Sequence, residues 1–168
     1  MKMQNIADIL AHRLQGKIVI VGIGNRDWAD DGAGLSVIKR LAVTPSLKTI
    51  DAGNFPELFI DRITGESPDI AMYVDSADLG SEPGSVAIIE KEQMNPGWGN
   101  GHQPPLSAIM TYVTQSCGAD TFLLGIQPAD IRTGHGMSRS VSRTVEILAT
   151  LINHITLKKE NGCKVKII

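Results

Sequence analysis

Excess charge of either sign is missing from this chain. Sixteen Lys and Arg stand against 18 Asp and Glu, a net charge of −2, and no run of basic residues forms a local patch. A nucleic-acid partner is therefore not expected. Long apolar runs are missing too. No stretch approaches the roughly 18–20 uninterrupted apolar residues of a membrane-spanning helix. The first seventeen residues intersperse apolar with polar side chains and lack both the apolar core and the cleavage site of a signal peptide. Cysteine is scarce, with only Cys117 and Cys163 and no CxxC spacing. These absences predict a reduced cytoplasmic protein without a disulfide framework. Repeats, linkers and low-complexity tracts are absent as well. At 168 residues and 42% hydrophobic content, one domain spanning 1–168 is expected, with residues 1–16 as an added N-terminal helix.

What is present alternates between two periodicities. Ile6, Ile9, Leu10 and Leu14 form a helical stripe within 5–15. KIVIVGI (17–23) is a short β-branched run that suits a strand buried on both faces. After a turn-forming segment, Leu35, Ile38, Leu41 and Ala42 recur at helical spacing. The alternation continues with strands at 47–53, 69–75, 85–90 and 121–126. Helices are expected over 57–65 and from Pro104 or Pro105 to about Cys117, with a last long helix through Val141, Val145, Leu148, Ile152 and Ile155. Ser138 or Ser140 suits that helix's N-terminus, and the tail CKVKII is a candidate edge strand. The pattern predicts a three-layer α/β/α sandwich around a mixed, largely parallel sheet of about five strands. The brief 75–85 connection leaves no room for a crossover helix, which predicts an antiparallel hairpin there.

Ligand sites in open α/β sheets lie beyond the C-terminal ends of strands. Three polar clusters fall there: Asp30-Asp31 after the first strand, Asp75 and Asp78 after the third, and His102 before a helix. Gly22-Ile23-Gly24 begins like a dinucleotide-binding motif. The third glycine is replaced by Asp27, however, and an acidic loop repels pyrophosphate, so no nucleotide cofactor is expected. Carboxylates and an imidazole without thiolate suit nickel, zinc, manganese or iron and do not choose among them. Each residue also has a purely structural use. Asp31 suits the cap of a helix near Ala33, Asp75 the turn after its strand, and His102 a solvated loop. His135, between two glycines before the last helix, competes for the histidine role. His12 and His154 fit structural or exposed positions, and Cys117 fits core packing. No GxSxG elbow supports an acyl-enzyme hydrolase.

Five segments nonetheless resemble, in order, those of the maturation endopeptidases of nickel–iron hydrogenases, the hydrogenase 3 type above all. They are VGIGNRDWADDGAG, IDAGNFPE, YVDSADLGSEPGSV, HQPPLS and LLGIQPADI, spanning 19 to about 131. The resemblance implies an endopeptidase that removes a C-terminal peptide from the nickel-loaded precursor of a hydrogenase large subunit. It maps the family's metal-binding residues onto Asp31, Asp75 and His102. Asp31 and Asp75 are also the catalytic candidates, with proton transfer and metal recognition not separated. The nickel is expected to arrive with the substrate, whose thiolates complete its shell. The chain departs from the family in its N-terminal extension and in Gly101, where a hydroxyl side chain is expected. A non-catalytic metal-sensing or assembly module on the same fold is the alternative. Peptidyl-tRNA hydrolases share the G-x-G-N opening, but their G-N-P-G continuation and following His-Asn are missing here.

Overall fold

The strand β1 (Ile18–Ile23) is buried along its whole length, and its alternate side chains enter two separate cores. Ile18 and Ile20 pack on one face of the sheet, and Val19, Val21 and Ile23 on the other. The computed structural model describes residues 3–94 and 104–163. Within them lie α1 (Met3–Arg13), α2 (Ala33–Ile38), β2 (Leu47–Gly53), α3 (Ile60–Gly65), β3 (Ile70–Ser76), β4 (Val86–Ile89), α4 (Leu106–Cys117), β5 (Asp120–Ile126) and α5 (Arg139–Cys163). Short 3₁₀ turns precede α2 and α3.

The first core receives Ile6, Leu10 and Leu14 from α1 and its C-terminal end, Val37 and Ile38 from α2, and Val141, Val145, Leu148 and Ile152 from α5. The second receives Ile63 from α3 and Ile109, Met110 and Val113 from α4. Three layers follow, as the alternating periodicities require. The chain's N-terminal helix is integral to this arrangement. Arg13 at its end pairs with Glu90 beyond β4 and with Asp120 at the start of β5, and lies 3.8 Å over the Phe122 ring.

The sheet order is β2-β1-β3-β5-β4, with β4 alone antiparallel. The mixed five-stranded sheet agrees with the sequence expectation, but the 75–85 hairpin does not form. β5 lies between β3 and β4 and pairs with both. Its six consecutive buried residues fill best from two sides, whereas β4, buried only at its two ends, takes the edge. The connecting loop wraps the end of β5 instead: Leu79 N–H donates to Gln127 Oε1 (2.6 Å), Gly84 N–H to Gln127 O (2.9 Å), and Gln127 N–H to Ser85 O (2.8 Å).

Other differences are local. α2 stops at Ile38 and Leu41 follows on a tighter turn, its N–H donating to Ile38 O. The 57–65 helix divides into a 3₁₀ turn over Pro56–Phe59 and α3. Pro105 precedes α4, and Ser138 Oγ accepts from Val141 N–H at the start of α5. Most of the tail proposed as an edge strand, residues 164–168, lies outside the described residues.

Candidate active site

The order of strands decides where a cleft opens. From β1 the chain passes through α2 on one face to β2, then returns through α3 on the other face to β3. Crossovers leaving β1 and entering β3 thus lie on opposite faces. The C-terminal ends of these neighbours form a topological switch point, the usual crevice of such sheets. Asp31 follows β1 and Asp75 ends β3, and both line one cleft of about 430 Å3.

The loop that carries Asp31 turns on glycine. Gly24 has φ +126°, and a Cβ there would meet Asp31 O at 1.8 Å, so the loop folds back onto the strand end only with glycine. Gly34, in the first turn of α2, lies against both strands, where a Cβ would fall 2.0 Å from Val74 O and 2.5 Å from Ile23 O. The Gly-x-Gly segment therefore serves close packing around an acidic loop. Ala29 takes φ +40°, a conformation that L side chains rarely adopt, immediately before the acid pair.

The two acids of that pair do different things. Asp30 is fully buried, and its carboxylate accepts from Ala129 N–H (2.8 Å), Asp130 N–H (3.0 Å) and Ser138 N–H (2.6 Å). It pins the 129–138 loop, which carries cleft residue Ile131. Asp31 instead accepts Asn25 N–H on Oδ2 (2.8 Å) and the Ser76 hydroxyl on Oδ1 (3.1 Å). Its side chain makes no cap for α2, so the helix-cap use does not apply.

Burial first, and the nearby Asp31 charge second, push the Asp75 carboxyl up to about 8, against the pull of the Ser76 backbone N–H. Two carboxylates facing one cleft resist ionising together. One proton is thus held near neutral pH in a cleft that Ile23, Leu106 and Leu123 line together with Asn54, Glu57 and Asp78. Such a pair suits proton transfer or a divalent cation. Among the described residues, no group of three His, Cys, Asp or Glu is placed to hold a metal ion. His102 lies outside the described residues, while Pro104, two positions later, lines the cleft.

His135 is exposed and pairs with Asp130 at 3.2 Å. It does not line the cleft. Hydrogen bonds from Arg132 hold Asp130 well below the usual carboxylate range. Cys117 Sγ donates to Val113 O (3.2 Å) and packs against the second core, as expected of a structural cysteine. Asp78 lines the cleft rim while its Oδ1 accepts Gly80 N–H.

Glu57, Ser76 and Trp28 also line the cleft and were not singled out by sequence reasoning. Glu57 lay within a recognised segment, on the loop after β2, whose end shares the same rim. That position was its available signal.

The family model described as hydrogenase maturation protease matches residues 35–155. The chain belongs to this family. It is a peptidase, and the resemblance carried by the five segments is borne out. The hydrogenase 3 maturation protease of Escherichia coli K12 is 29% identical over 131 residues, covering 76% of this chain and 83% of its own. The [NiFe] hydrogenase maturation protease HycI from Thermococcus kodakarensis KOD1 superposes with a TM-score of 0.81 at 30% identity, over 88% of this chain and 97% of that one. The maturating endopeptidase HybD from E. coli shares the fold, with a TM-score of 0.68 at 17% identity, covering 87% and 94% of the two chains. Membership of a protease family sets aside the non-catalytic module and the peptidyl-tRNA hydrolase. No helix among the described residues is long and apolar enough to cross a membrane.

Proposed function

We propose that this hydrogenase maturation protease removes a C-terminal peptide from the nickel-loaded precursor of a nickel–iron hydrogenase large subunit, in the cytoplasm. Asp31, Asp75 and His102 engage nickel that the substrate brings. One domain, α1 included, performs the reaction. The observation that carries this reading is the convergence of Asp31 and Asp75 at the switch-point cleft, with Asp75 holding a proton near neutral pH. The placing of Pro104 on the same cleft supports His102 as the third donor.

The protein's own groups divide the work. Asp31, fixed by Asn25 N–H and the Ser76 hydroxyl, presents an oriented charge. Asp75 either gives up its proton on engaging nickel, since a ligating carboxylate is deprotonated, or exchanges it with water or the leaving amine. Burial of Asp75 beside Ile23, Leu106 and Leu123 lowers the local dielectric and strengthens both effects. Asp31, Asp75 and His102 would hold a divalent ion, which would supply positive charge toward the scissile carbonyl.

Three protein donors leave coordination positions open, and thiolates of the precursor, which brings the nickel, complete the shell. The test compares nickel-loaded and nickel-free precursor by intact-mass spectrometry. The loaded form is shortened by enzyme carrying no added metal, and nickel added to enzyme with a metal-free precursor gives little cleavage. Rapid cutting of a rigorously nickel-free precursor overturns the substrate-borne nickel.

A further inference from the structure

Exposed apolar side chains are not spread evenly over this molecule. Among the described residues eight large ones are exposed, and four of them, Trp28, Phe55, Leu58 and Ile131, stand at the mouth of the Asp31–Asp75 cleft. Trp28 and Ile131 line it directly, at 45% and 54% exposure. Asn54, Pro56 and Glu57 line it too, and Phe55 and Leu58, interleaved with them in the chain, remain 49% and 75% exposed. Single exposed apolar residues are ordinary, but a group of them marks a contact surface.

The group is braced from behind. Gly134 N–H donates to Asp27 O (2.8 Å) and Asp30 N–H to Asp130 O (2.9 Å), which ties the loop of Trp28 to that of Ile131. Phe55 and Leu58 are joined by a tight turn, Leu58 N–H donating to Phe55 O (3.1 Å). Nearby charge is answered locally: Arg26 pairs with Asp51, and Arg132 with Asp130 at 2.7 Å. The three loops follow β2, β1 and β5, and the sheet order puts β3, with Asp75 at its end, between the last two. The outer strands are three spacings apart, about 14 Å. The apolar groups thus rise from strand ends on both sides of the acid pair.

The cleft they border decides what covers them. A chain whose peptide bond reaches Asp31 and Asp75 passes between these side chains. We propose that Trp28, Phe55, Leu58 and Ile131 form a docking ring for an apolar face on the folded body of the precursor, and that this docking does not require nickel. This deepens the reading of the protein as a precursor-processing peptidase and rests on it. None of the four side chains ligates metal, so they seat the precursor with or without its ion. They project from three separate loops, which suits hollows in a broad face better than a single extended segment.

The test measures equilibrium binding to nickel-free precursor, and KM and kcat on the nickel-loaded form. It compares wild type with Phe55→Ser/Leu58→Ser, Ile131→Ser and a control, Val43→Ser. Val43 is also exposed, at 58%, but lies between α2 and β2, where the strands begin. All should melt close together, because the altered side chains are exposed. Both rim variants are expected to bind nickel-free precursor about tenfold or more weakly and to raise KM alike, with kcat changed less. Val43→Ser should match wild type. Raising salt from about 0.1 to about 0.5 M should weaken wild-type binding less than about threefold, because charge does not carry it. Wild-type binding in either rim variant, an equal loss in Val43→Ser, a steep salt dependence, or failure of wild type to bind nickel-free precursor each overturn the proposal. So does displacement of the precursor by a synthetic peptide of the cut segment alone, since the dock would then hold that segment and not a folded face. If wild type binds precursor without shortening the nickel-loaded form, the processing reading fails, and the binding comparison still decides the role of the ring.

Discussion

Asp30 and Asp31 are adjacent in the chain and hold opposite sides of the site together. Asp30 binds the loop after β5 through three backbone N–H groups, while Asp31 reaches the end of β3 through the Ser76 hydroxyl. A charged acceptor losing several buried partners is costly, about 3–5 kcal/mol when their effects are combined. Asp30→Ala is therefore expected to lower stability by that amount in denaturant unfolding. Asp31→Asn should melt close to wild type yet lose precursor processing. Equal stability losses in the two variants would contradict this division.

Asp75 makes stability depend on pH. Its folded pKa of about 8 lies above the ordinary 3.8. Between these values the folded state binds more protons than the unfolded chain, so stability falls as pH rises. The penalty is absent below the unfolded value and complete above the folded one. Urea unfolding at about pH 5 and about pH 9 should show the decline in wild type and a much flatter profile in Asp75→Asn. That variant should also lose processing. An identical slope in both proteins would place the titration elsewhere.

Gly34 admits no side chain without moving α2. The backbone oxygens of Val74 and Ile23 occupy the position of a Cβ, and neither is the end of a flexible side chain. Gly34→Ala should cost roughly 3 kcal/mol or more, at the upper end of overpacking effects. It should also cut processing in whatever fraction remains folded, because the shift separates Asp31 from Asp75. Calorimetry and the precursor assay together check this, and a variant of wild-type stability would refute it.

The two histidine candidates should separate. His135 is an exposed partner of Asp130 outside the cleft, so His135→Ala is expected to retain most processing. His102→Ala should lose it while remaining folded by circular dichroism. Similar activities in both folded variants would contradict the choice of His102.

The features legible in the sequence are those set by near neighbours in the chain. The unbroken β-branched run in KIVIVGI identified a strand buried on two faces, and the position of Asp31 and Asp75 after strands placed them on one rim. Features set by distant segments were not legible. The hairpin expected after β3 failed because β5, about 45 residues later, takes the place beside it. Asp30 could only be grouped with Asp31 as an acidic pair, because the partners that give it a separate bracing role lie about a hundred residues away. Glu57 offered only its position after β2, and its place in the cleft appears only in three dimensions.

The place of β5 between β3 and β4 also governs the order in which a newly made chain can assemble its sheet. β3 keeps an open edge, and β4 has nothing to pair with, until residues 120–126 have left the ribosome. The segment that receives Asp30 comes later still. An unfinished chain therefore has neither a closed sheet nor a braced cleft. Peptidase activity is consequently withheld until residues 120–138 are in place, and the exposed edge of β3 is the point at which a stalled chain is most open to aggregation.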